Sequence, residues 1–413
     1  MALRNYQVLQ RGSDNTARVV LSDGREVVLQ AGGPYELDGA HDVYVGDIWI
    51  LAGQSNMEGC GKLIDVFSGR PNPDLETPTP EINVFELREE WAPAQEPLHW
   101  LSDSPRNIHF RLWGLPGAPA EPPPHDPNRQ IGAGLGLTFA TTVFAETGVP
   151  IGLVPSAHGG TSMTQWDPDR KDEGGDSLYG ATFERFKAVG GKVAGILWYQ
   201  GESDCRPEDH AHFANRFTKI IAGFRRDFNQ PELPFYYVQL GRFAALDAPD
   251  SVPSWNAVRE AQRKFVTSMP AIGVVSAIDL ELDDCIHIST HSLKRLGQRL
   301  ARLVLGGHSP ELEQVTLEKS PLGLHLRFRN VTGRLLSAGR PTGFSIRDDS
   351  GTEIIRAHKV VLDEDTVIVL FDTDPLPSGL NLWYGWGMDP YCNITDSADL
   401  PIPAFGPIPF PRF

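Results

Sequence analysis

Basic residues are scarce in this sequence. Its 413 residues include 37 lysines and arginines against 53 aspartates and glutamates, and the formal net charge is −16 at pH 7 with histidine neutral. Proteins that bind nucleic acid or anionic membranes carry clustered lysine and arginine. No lysine or arginine run of that kind is present here. The composition therefore disfavours nucleic acid, membranes and other polyanions as partners.

Cysteine is scarce as well. Four cysteines are too few for a disulfide scaffold, and none of them forms a CxxC or another metal-ligand spacing. Three of them, Cys60, Cys205 and Cys285, lie in or beside the motifs described below. Burial as small apolar side chains is one interpretation. A Cys205–Cys285 bridge between two loops is the other.

Long apolar runs are absent. No stretch approaches the roughly 20 apolar residues that a membrane-spanning helix needs. The first residues, MALRNYQVLQRGSDNT, lack the basic start and the apolar core of a signal peptide. We therefore expect a cytoplasmic protein, although a secreted form with its leader removed would have the same sequence.

Strand and helix patterns divide the chain into three parts. Residues 1–45 indicate short strands, with a hairpin turn at Asp23-Gly24. Residues 46–305 alternate apolar runs such as PIGLVPS and AGILWYQ with helical segments, which predicts a parallel sheet covered by helices. Residues 306–413 predict a β-domain. Because 45 residues are too few to bury a core of their own, we expect the N-terminal strands to pack with or against that domain.

Within the middle part, polar motifs follow the predicted strands, where ligands bind in α/β proteins. The first motif is GQSNM at residues 53–57. A serine on a glycine turn after a buried strand can present both its Oγ and its backbone N–H to a cleft. The GxSxG elbow of α/β-hydrolases is absent. Ser55 is therefore a candidate nucleophile, with a structural turn serine as the alternative.

Two further motifs can supply hydrogen-bond donors. SAHGGT at residues 156–161 has paired glycines, which let backbone N–H groups approach a ligand as an oxyanion hole requires. WYQGESD at residues 198–204 offers the amide of Gln200 as a donor and the carboxylate of Glu202 to orient a neighbour. A plain glycine turn and a solvated strand end are the alternatives.

The last motif pairs an acid with a histidine. Asp284 and His287 are three residues apart, so the carboxylate can fix the imidazole tautomer and stabilise its charged form. The same spacing occurs at Asp38–His41 and Asp209–His212. Of these three pairs, only Asp284–His287 follows a predicted buried strand and precedes a capped helix late in the domain. We therefore predict it as the functional pair.

Together, GQSNM, SAHGGT, WYQGES and DxxH resemble the successive blocks of the SGNH hydrolases, and more narrowly those of the sialate O-acetylesterase and acetylxylan esterase branch. The resemblance covers about residues 43–305. It extends into the tail, where LWYGWGMDPYCNITDSADLPIPAF is similar to the closing β-segment of sialate O-acetylesterase-like proteins. It implies an α/β fold of the SGNH type, a three-layer α/β/α parallel sheet. An accessory β-sandwich-like domain would be formed by the C-terminal strands together with the N-terminal ones.

The resemblance also implies roles for individual residues. Ser55 would be the nucleophile, His287 the general base and acid, and Asp284 its orienter. The oxyanion hole would consist of the N–H of Ser55, the N–H of Gly159 and the side chain of Gln200, which stands where the wider superfamily has asparagine. The paired glycines leave open whether Gly159 or Gly160 is the donor. Further candidates for support or substrate contact are Gln54, Gly160, Glu202 and Trp166.

The implied activity is a serine-dependent carbohydrate O-acetylesterase. It would act through an acetyl-enzyme, without a metal or organic cofactor, on acetylated mono-, oligo- or polysaccharides. Trp113 and His125, in the proline-rich loop of residues 61–130, are candidates for contacting a sugar, with ordinary packing as the alternative. His158 is interpreted as a loop histidine and not as a second base. The competing hypotheses are an SGNH lipase or thioesterase for longer acyl chains and a non-catalytic carbohydrate-binding protein.

Overall fold

The computed structural model describes residues 3–245 and 250–411. Strands of the N-terminal part are β1 (Val8–Gln10), β2 (Thr16–Val20), β3 (Glu26–Gln30) and β4 (Gly32–Leu37). Strands of the middle part are β5 (Ala40–Gly53), β6 (Gly61–Lys62), β7 (Ile82–Phe85), β8 (Trp91–Pro93), β9 (Ile131–Ala133), β10 (Ile151–Pro155), β11 (Gly195–Tyr199), β12 (Phe235–Gln239) and β13 (Ile272–Ser276). Strands of the C-terminal part are β14 (Glu311–Lys319), β15 (Leu322–Arg329), β16 (Leu335–Ser337), β17 (Phe344–Arg347), β18 (Glu353–Ile355), β19 (Lys359–Asp363), β20 (Thr366–Leu370), β21 (Asn381–Tyr384), β22 (Ile394–Asp396) and β23 (Phe405–Pro409).

The helices lie in the middle part. They are α1 (Ser55–Glu58), α2 (Asn107–Leu112), α3 (Gly136–Thr147), α4 (Leu178–Ala188), α5 (Phe213–Asp227), α6 (Ser251–Phe265) and α7 (Thr290–Val304). Short 3₁₀ segments span Leu101–Asp103, Pro168–Asp176, Glu202–Asp204 and His210–His212. Helix α7 is the capped helix predicted to follow Asp284–His287, and its cap is the Ser289 side chain, which accepts a hydrogen bond from the N–H of Ser292.

A mostly parallel sheet forms the centre of the molecule. Its strand order is β13-β12-β11-β5-β10-β7-β8, and every neighbouring pair is parallel except β7 and β8. All residues of β10 and β11 are buried, as apolar strands covered on both faces should be. Helices α3 and α7 pack on each other and on this sheet. Helix α6 also packs on the sheet. The predicted α/β fold class is confirmed.

The N-terminal strands pack differently from the expectation. Strand β1 pairs in parallel with the first half of β5, and β4 pairs with it antiparallel, whereas β2 and β3 form a hairpin. The hairpin buries Ala17, Val19, Leu21 and Leu29 against Val45 of β5. The reason is the length of β5, whose 14 residues reach about 46 Å. The first half of β5 pairs with β1 and β4, and the second half pairs with β10 and β11 at the centre of the sheet.

The C-terminal part is antiparallel. One sheet has the order β14-β15-β20-β19 and a second has the order β18-β17-β21-β23, with β16 paired to β22 beside them. The two four-stranded sheets share one hydrophobic core, which includes Leu326 of β15, Val369 of β20 and Leu382 of β21. This agrees with the sandwich-like accessory domain expected for the C-terminal strands. The boundaries at 45/46 and 305/306 stay predictions.

Across the described ranges, no helix combines the length and the apolar character that crossing a membrane requires.

Candidate functional site

Ser55 lies at the carboxyl end of the central strand. Strand β5 ends at Gly53 and helix α1 begins at Ser55. Gly53 has φ = 131°, and a Cβ placed on it would lie 2.2 Å from the carbonyl oxygen of Tyr199 in β11. Glycine therefore permits both the turn and the close approach of the two strands. The turn leaves Ser55 half-buried at the wall of a cleft.

Asp284 and His287 form the predicted pair. Asp284 Oδ2 lies 2.6 Å from His287 Nδ1, and Asp284 Oδ1 accepts hydrogen bonds of 2.8 Å from the N–H groups of Ile286 and His287. Partial burial works to raise the pKa of Asp284, but the bonds to His287 and to these N–H groups outweigh it, and the pKa is lowered. The carboxylate is therefore ionised and fixes the His287 ring.

The two other DxxH spacings do not form such a pair. Asp38 accepts from Ser22, and Asp209 binds Arg216. His41 Nδ1 bonds to Asp42, its neighbour in the chain. Of the three DxxH pairs, only Asp284–His287 has a hydrogen bond between its own carboxylate and its own imidazole.

Ser55 and His287 line the same cleft, whose volume is about 570 Å³. Within residues 3–245 and 250–411, Ser55 Oγ has no hydrogen-bond partner. Unliganded sites often hold the nucleophile and base further apart than the reacting complex does. The structure thus brings the three predicted triad residues to one place, with the serine hydroxyl free.

Gly159, rather than Gly160, lies beside Ser55. A Cβ on Gly159 would lie 3.4 Å from Ser55 Cβ, whereas a Cβ on Gly160 would contact nothing within 4 Å. The N–H of Gly159 already has a partner, since it donates to Glu58 Oε2 at 2.7 Å. The donor that the resemblance assigns to the oxyanion hole is therefore held by a carboxyl group of the same cleft.

Glu58 was not singled out from the sequence. Burial raises its pKa to about 7, although the hydrogen bond from Gly159 and the charges of Arg129 and His287 act in the opposite direction. Its position three residues after Ser55 was the available signal. Burial of its carboxyl group depends on the glycine turn about 100 residues further along, and the local sequence does not contain that information.

We expect Glu58→Gln to stabilise the protein at alkaline pH relative to the wild type. From about pH 4.5, the ordinary value, to about pH 7, the unfolded chain ionises Glu58 while the folded chain does not, and this favours unfolding. The wild type therefore loses about 3 kcal/mol by pH 8 through this group, and glutamine, which can still accept from Gly159, loses none of it. Urea unfolding at pH 5 and pH 8 measures the difference, with the exposed Glu121→Gln as control. A difference between wild type and Glu58→Gln that does not change with pH would contradict this assignment.

Asn56 connects three of the motifs. Its Nδ2 donates to Glu202 Oε1 at 2.9 Å and to the carbonyl oxygen of Ile286 at 3.3 Å, and its Oδ1 accepts from the N–H of Ile288 at 3.0 Å. Glu202 accepts the bond from Asn56, and burial raises its pKa; its supporting role stays a prediction. Asn56 was not predicted as a site residue from the sequence. It holds the His287 loop against the Ser55 turn.

The structure does not bring Gln200 to the cleft. Its side chain is fully buried, and Nε2 donates to the carbonyl oxygen of Thr161 at 3.0 Å and to Asp204 Oδ2 at 2.6 Å. Both amide hydrogens are therefore used inside the protein. Gln54, immediately before Ser55, does line the cleft, and its Oε1 accepts from the N–H of Ser203 at 3.4 Å. No hydrogen-bond partner of the Gln54 amide nitrogen lies within residues 3–245 and 250–411.

The candidate sugar-contacting residues Trp166, Trp113 and His125 have different surroundings. Trp166 is fully buried, donates to Thr161 Oγ1 and packs edge-on against Trp198, so it contacts no ligand in the cleft. Its proposed role in substrate contact is corrected to one in packing. Trp113 lines the cleft and is 48% exposed. His125 stacks on Trp100 and binds Asp103.

All four cysteines are free. Cys205 is buried, and its Sγ donates to the carbonyl oxygen of Gly201, whereas Cys285 is exposed. The Cys205–Cys285 bridge is therefore absent. Cys60 lines the cleft, and burial raises its pKa to about 12, so it remains a neutral thiol.

Comparisons with known proteins show that this chain is similar to carbohydrate esterases. A family model described as "Carbohydrate esterase, sialic acid-specific acetylesterase" matches residues 45–306. A probable carbohydrate esterase of Arabidopsis thaliana is 29% identical over 271 residues, which is 62% of this chain and 90% of the plant protein. The sialate O-acetylesterase of Rattus norvegicus is 25% identical over 311 residues, or 58% of this chain and 53% of the rat protein. A crystal structure of a carbohydrate acetylesterase from Xanthomonas citri has the same fold, with a TM-score of 0.71 and 24% identity over 98% of this chain and 97% of that one.

Proposed function

Because this chain belongs to the carbohydrate esterase family of sialic acid-specific acetylesterases, we propose that Ser55, His287 and Asp284 hydrolyse acetyl esters on sugars in the cleft. One observation carries the proposal. Ser55, with a free hydroxyl, lines the same cleft as His287, whose Nδ1 is held at 2.6 Å by Asp284. A histidine oriented by an aspartate, in the same cleft as a free serine hydroxyl, supports acyl transfer through that serine.

The reaction has two steps. His287 Nε2 takes the Ser55 proton while Oγ attacks the acetyl carbonyl carbon, and Asp284 stabilises the imidazolium that forms. The C–O bond to the sugar then breaks, and the sugar oxygen takes the proton from His287 as it leaves. Water, deprotonated by His287, attacks the acetyl-enzyme in the same way. Acetate is released, and the hydroxyl of Ser55 is restored.

The developing oxyanion needs donors in the cleft. The N–H of Ser55 is one, because the first N–H groups of a helix have no partner within it. The N–H of Gly159 is the second, and the substrate carbonyl oxygen replaces Glu58 Oε2 there. We assign the third donor to the side-chain amide of Gln54 in place of Gln200. This choice is supported by the position of Gln54 in the cleft and by the internal hydrogen bonds of Gln200.

The second part of the proposal is the identity of the sugar that carries the acetyl ester. Monosaccharides, oligosaccharides and polymers with accessible acetyl groups all remain candidates for this open cleft. Arg206 lines it and offers a partner for the carboxylate of an acidic sugar. The rat relative named for sialate esters makes O-acetyl sialic acid one candidate. Acetylated xylan, glucomannan and neutral monosaccharides are the alternatives.

Acetate release from these four substrate classes tests the proposal. We expect release from at least one class, and faster hydrolysis of p-nitrophenyl acetate than of the octanoate. Faster hydrolysis of the octanoate would favour the lipase or thioesterase hypothesis. No release from any sugar, with p-nitrophenyl acetate also untouched, would favour a binding protein.

The same assay tests the third donor. Loss of one oxyanion donor lowers kcat by about 10²- to 10³-fold, and we expect this for Gln54→Ala without loss of folding. Gln200→Ala should act through stability, because Gln200 holds Thr161 and Asp204 in the interior. A folded Gln200→Ala variant with that loss of kcat, beside an unaffected Gln54→Ala, would restore Gln200 to the hole.

A further inference from the structure

We propose that His158 and Trp113 form the wall of the cleft that binds the sugar, with His158 acting as a fixed, neutral hydrogen-bond donor to a hydroxyl group of the ring that carries the acetyl ester. The inference rests on the proposed acetylesterase function and names the part of the cleft that recognises the leaving group. Both side chains line the cleft that contains Ser55. Neither has a part in the acyl-transfer steps described above.

His158 is held by a second buried histidine. His158 Nδ1 lies 2.9 Å from Nδ1 of His109, which belongs to helix α2, and the two rings are nearly parallel. Both residues are at least 97% buried, with 1% exposure at His109 and 3% at His158. No group of three or more metal-ligating side chains is arranged to hold a metal ion in the part of the chain that the structure describes. At 2.9 Å the contact between the two imidazoles is a hydrogen bond, and one proton lies between the two nitrogens.

The surroundings of His109 decide which ring carries that proton. His109 Nε2 is buried and has no hydrogen-bond partner. An orphaned buried N–H group is rarer and costlier than an orphaned acceptor. His109 therefore carries its proton on Nδ1, and its Nε2 is bare. His158 Nδ1 accepts the hydrogen bond from this N–H group, so the one proton of the neutral His158 ring is on Nε2.

The direction of His158 follows from this bond. Its Nδ1 faces His109 in the interior, so Nε2, on the opposite edge of the ring, is the nitrogen on the cleft side. Burial lowers the pKa of His158 to about 4. Burial, followed by the charges of His158, Arg185 and His99, lowers the pKa of His109 as well. At neutral pH the cleft thus receives an uncharged N–H donor that cannot accept a proton at the same nitrogen, so His158 cannot act as a second base.

Trp113 completes the wall. It follows helix α2 directly, so one short helix positions both His109 and Trp113. The Trp113 ring centroid lies 5.7 Å from that of His158, and the indole is 48% exposed. An exposed indole beside a fixed polar donor can pack on the apolar face of a pyranose while the donor binds a ring hydroxyl. A small acetyl ester without a ring has nothing to place on either group.

Two substrates with the same acyl group separate this role from the chemistry. One is the acetylated sugar that the wild type hydrolyses best, and the other is ethyl acetate, whose leaving alcohol has no ring. We expect His158→Leu and Trp113→Leu each to lower kcat/KM for the sugar by about 10-fold or more, mainly through KM. Their kcat/KM for ethyl acetate should stay within about 3-fold of the wild type, as for a loss limited to sugar contacts.

Conservative variants give the matched control. His158→Gln retains a side-chain N–H donor and Trp113→Phe retains an aromatic face, so each should recover most of the loss on the sugar. The ¹⁵N chemical shifts of His158 in the wild type should report the Nε2–H tautomer at pH 7. If His158→Leu fails to fold, Trp113→Leu at a half-exposed position still tests the wall.

Three outcomes would overturn the inference. Equal losses on the sugar and on ethyl acetate would mean that the residues act on the acyl-transfer step or on the fold. An unchanged KM for the sugar in both leucine variants would show that these residues do not bind the sugar. An Nδ1–H tautomer of His158 would show that its Nε2 is not a hydrogen-bond donor. A wild type inactive on both substrates would contradict the esterase function itself, which is a different result from an active enzyme that is indifferent to these variants.

Discussion

Ser55→Ala is expected to lower acetate release from every sugar that the wild type hydrolyses, by about 10⁴-fold or more in kcat. The reason is covalent. Oγ of Ser55 is the atom that receives the acetyl group. Among the described residues that line the cleft, Ser55 is the hydroxyl residue at the carboxyl end of the central strand β5. The remaining donors of the cleft would still polarise the ester, so a small residual rate is expected and not complete inactivity.

Ser203→Ala is the matched control for this experiment. Ser203 lines the same cleft, and its bond to Gln54 uses the backbone N–H, so removal of its hydroxyl should leave the rate near that of the wild type. Both variants should unfold at the wild-type temperature. Rapid quenching of the wild-type reaction should also trap an acetylated peptide that contains Ser55. A Ser55→Ala variant that kept a tenth of the wild-type rate would show that another group attacks the ester.

Much of this site could be predicted because its chemistry follows the strand ends. Ser55 stands directly after β5, and parallel strands bring their carboxyl ends to one edge of the sheet. The same rule separated Asp284–His287 from Asp38–His41 and Asp209–His212, which have identical spacing. Position in the fold, which the strand pattern reveals, carried more information than the spacing did.

The donors of the oxyanion hole were harder to predict, because side-chain direction is decided by neighbours distant in the chain. Gln200 follows β11 as the motif requires, yet Thr161 and Asp204 bind its amide and turn it into the interior. Glu58 shows the same limit, since its hydrogen bond to Gly159 crosses about 100 residues of sequence. A single sequence gives the residue types at a strand end, and the packing of several loops decides which of them face the cleft.

The N-terminal strands illustrate a limit of a different kind. The first 45 residues bury a small hydrophobic cluster of their own, which includes Val19, Leu29 and Val45, and they pair with β5 and not with the C-terminal strands. Strand β5 extends beyond the central sheet, and its free first half pairs with β1 and β4. A long strand that begins inside the N-terminal part offers these strands a neighbour close in the chain, and short connections are favoured over distant ones.

Asp284→Asn is the second variant with a large expected effect, a loss of about 10⁴-fold in kcat with the fold retained. The fold should survive because the asparagine carbonyl oxygen can take the place of Oδ1, which accepts from the N–H groups of Ile286 and His287. The amide nitrogen then faces His287 Nδ1 and donates to it. His287 must carry its own proton on Nε2, where it can no longer accept the proton of Ser55, and the charge that stabilises the imidazolium is lost as well.

The control for Asp284→Asn is Asp38→Asn. Asp38 has the same spacing to a histidine, but its carboxylate binds Ser22 and not that histidine. It should leave kcat within about 2-fold of the wild type, as is usual for a surface residue away from the site. Measured kcat and unfolding temperatures of the two variants decide the matter together. If Asp284→Asn kept kcat within 10-fold of the wild type while remaining folded, His287 would be oriented by another group. Glu202 would then be the first residue to test, because its Oε2 is buried without a partner and the Asn56 bridge already links it to the His287 loop.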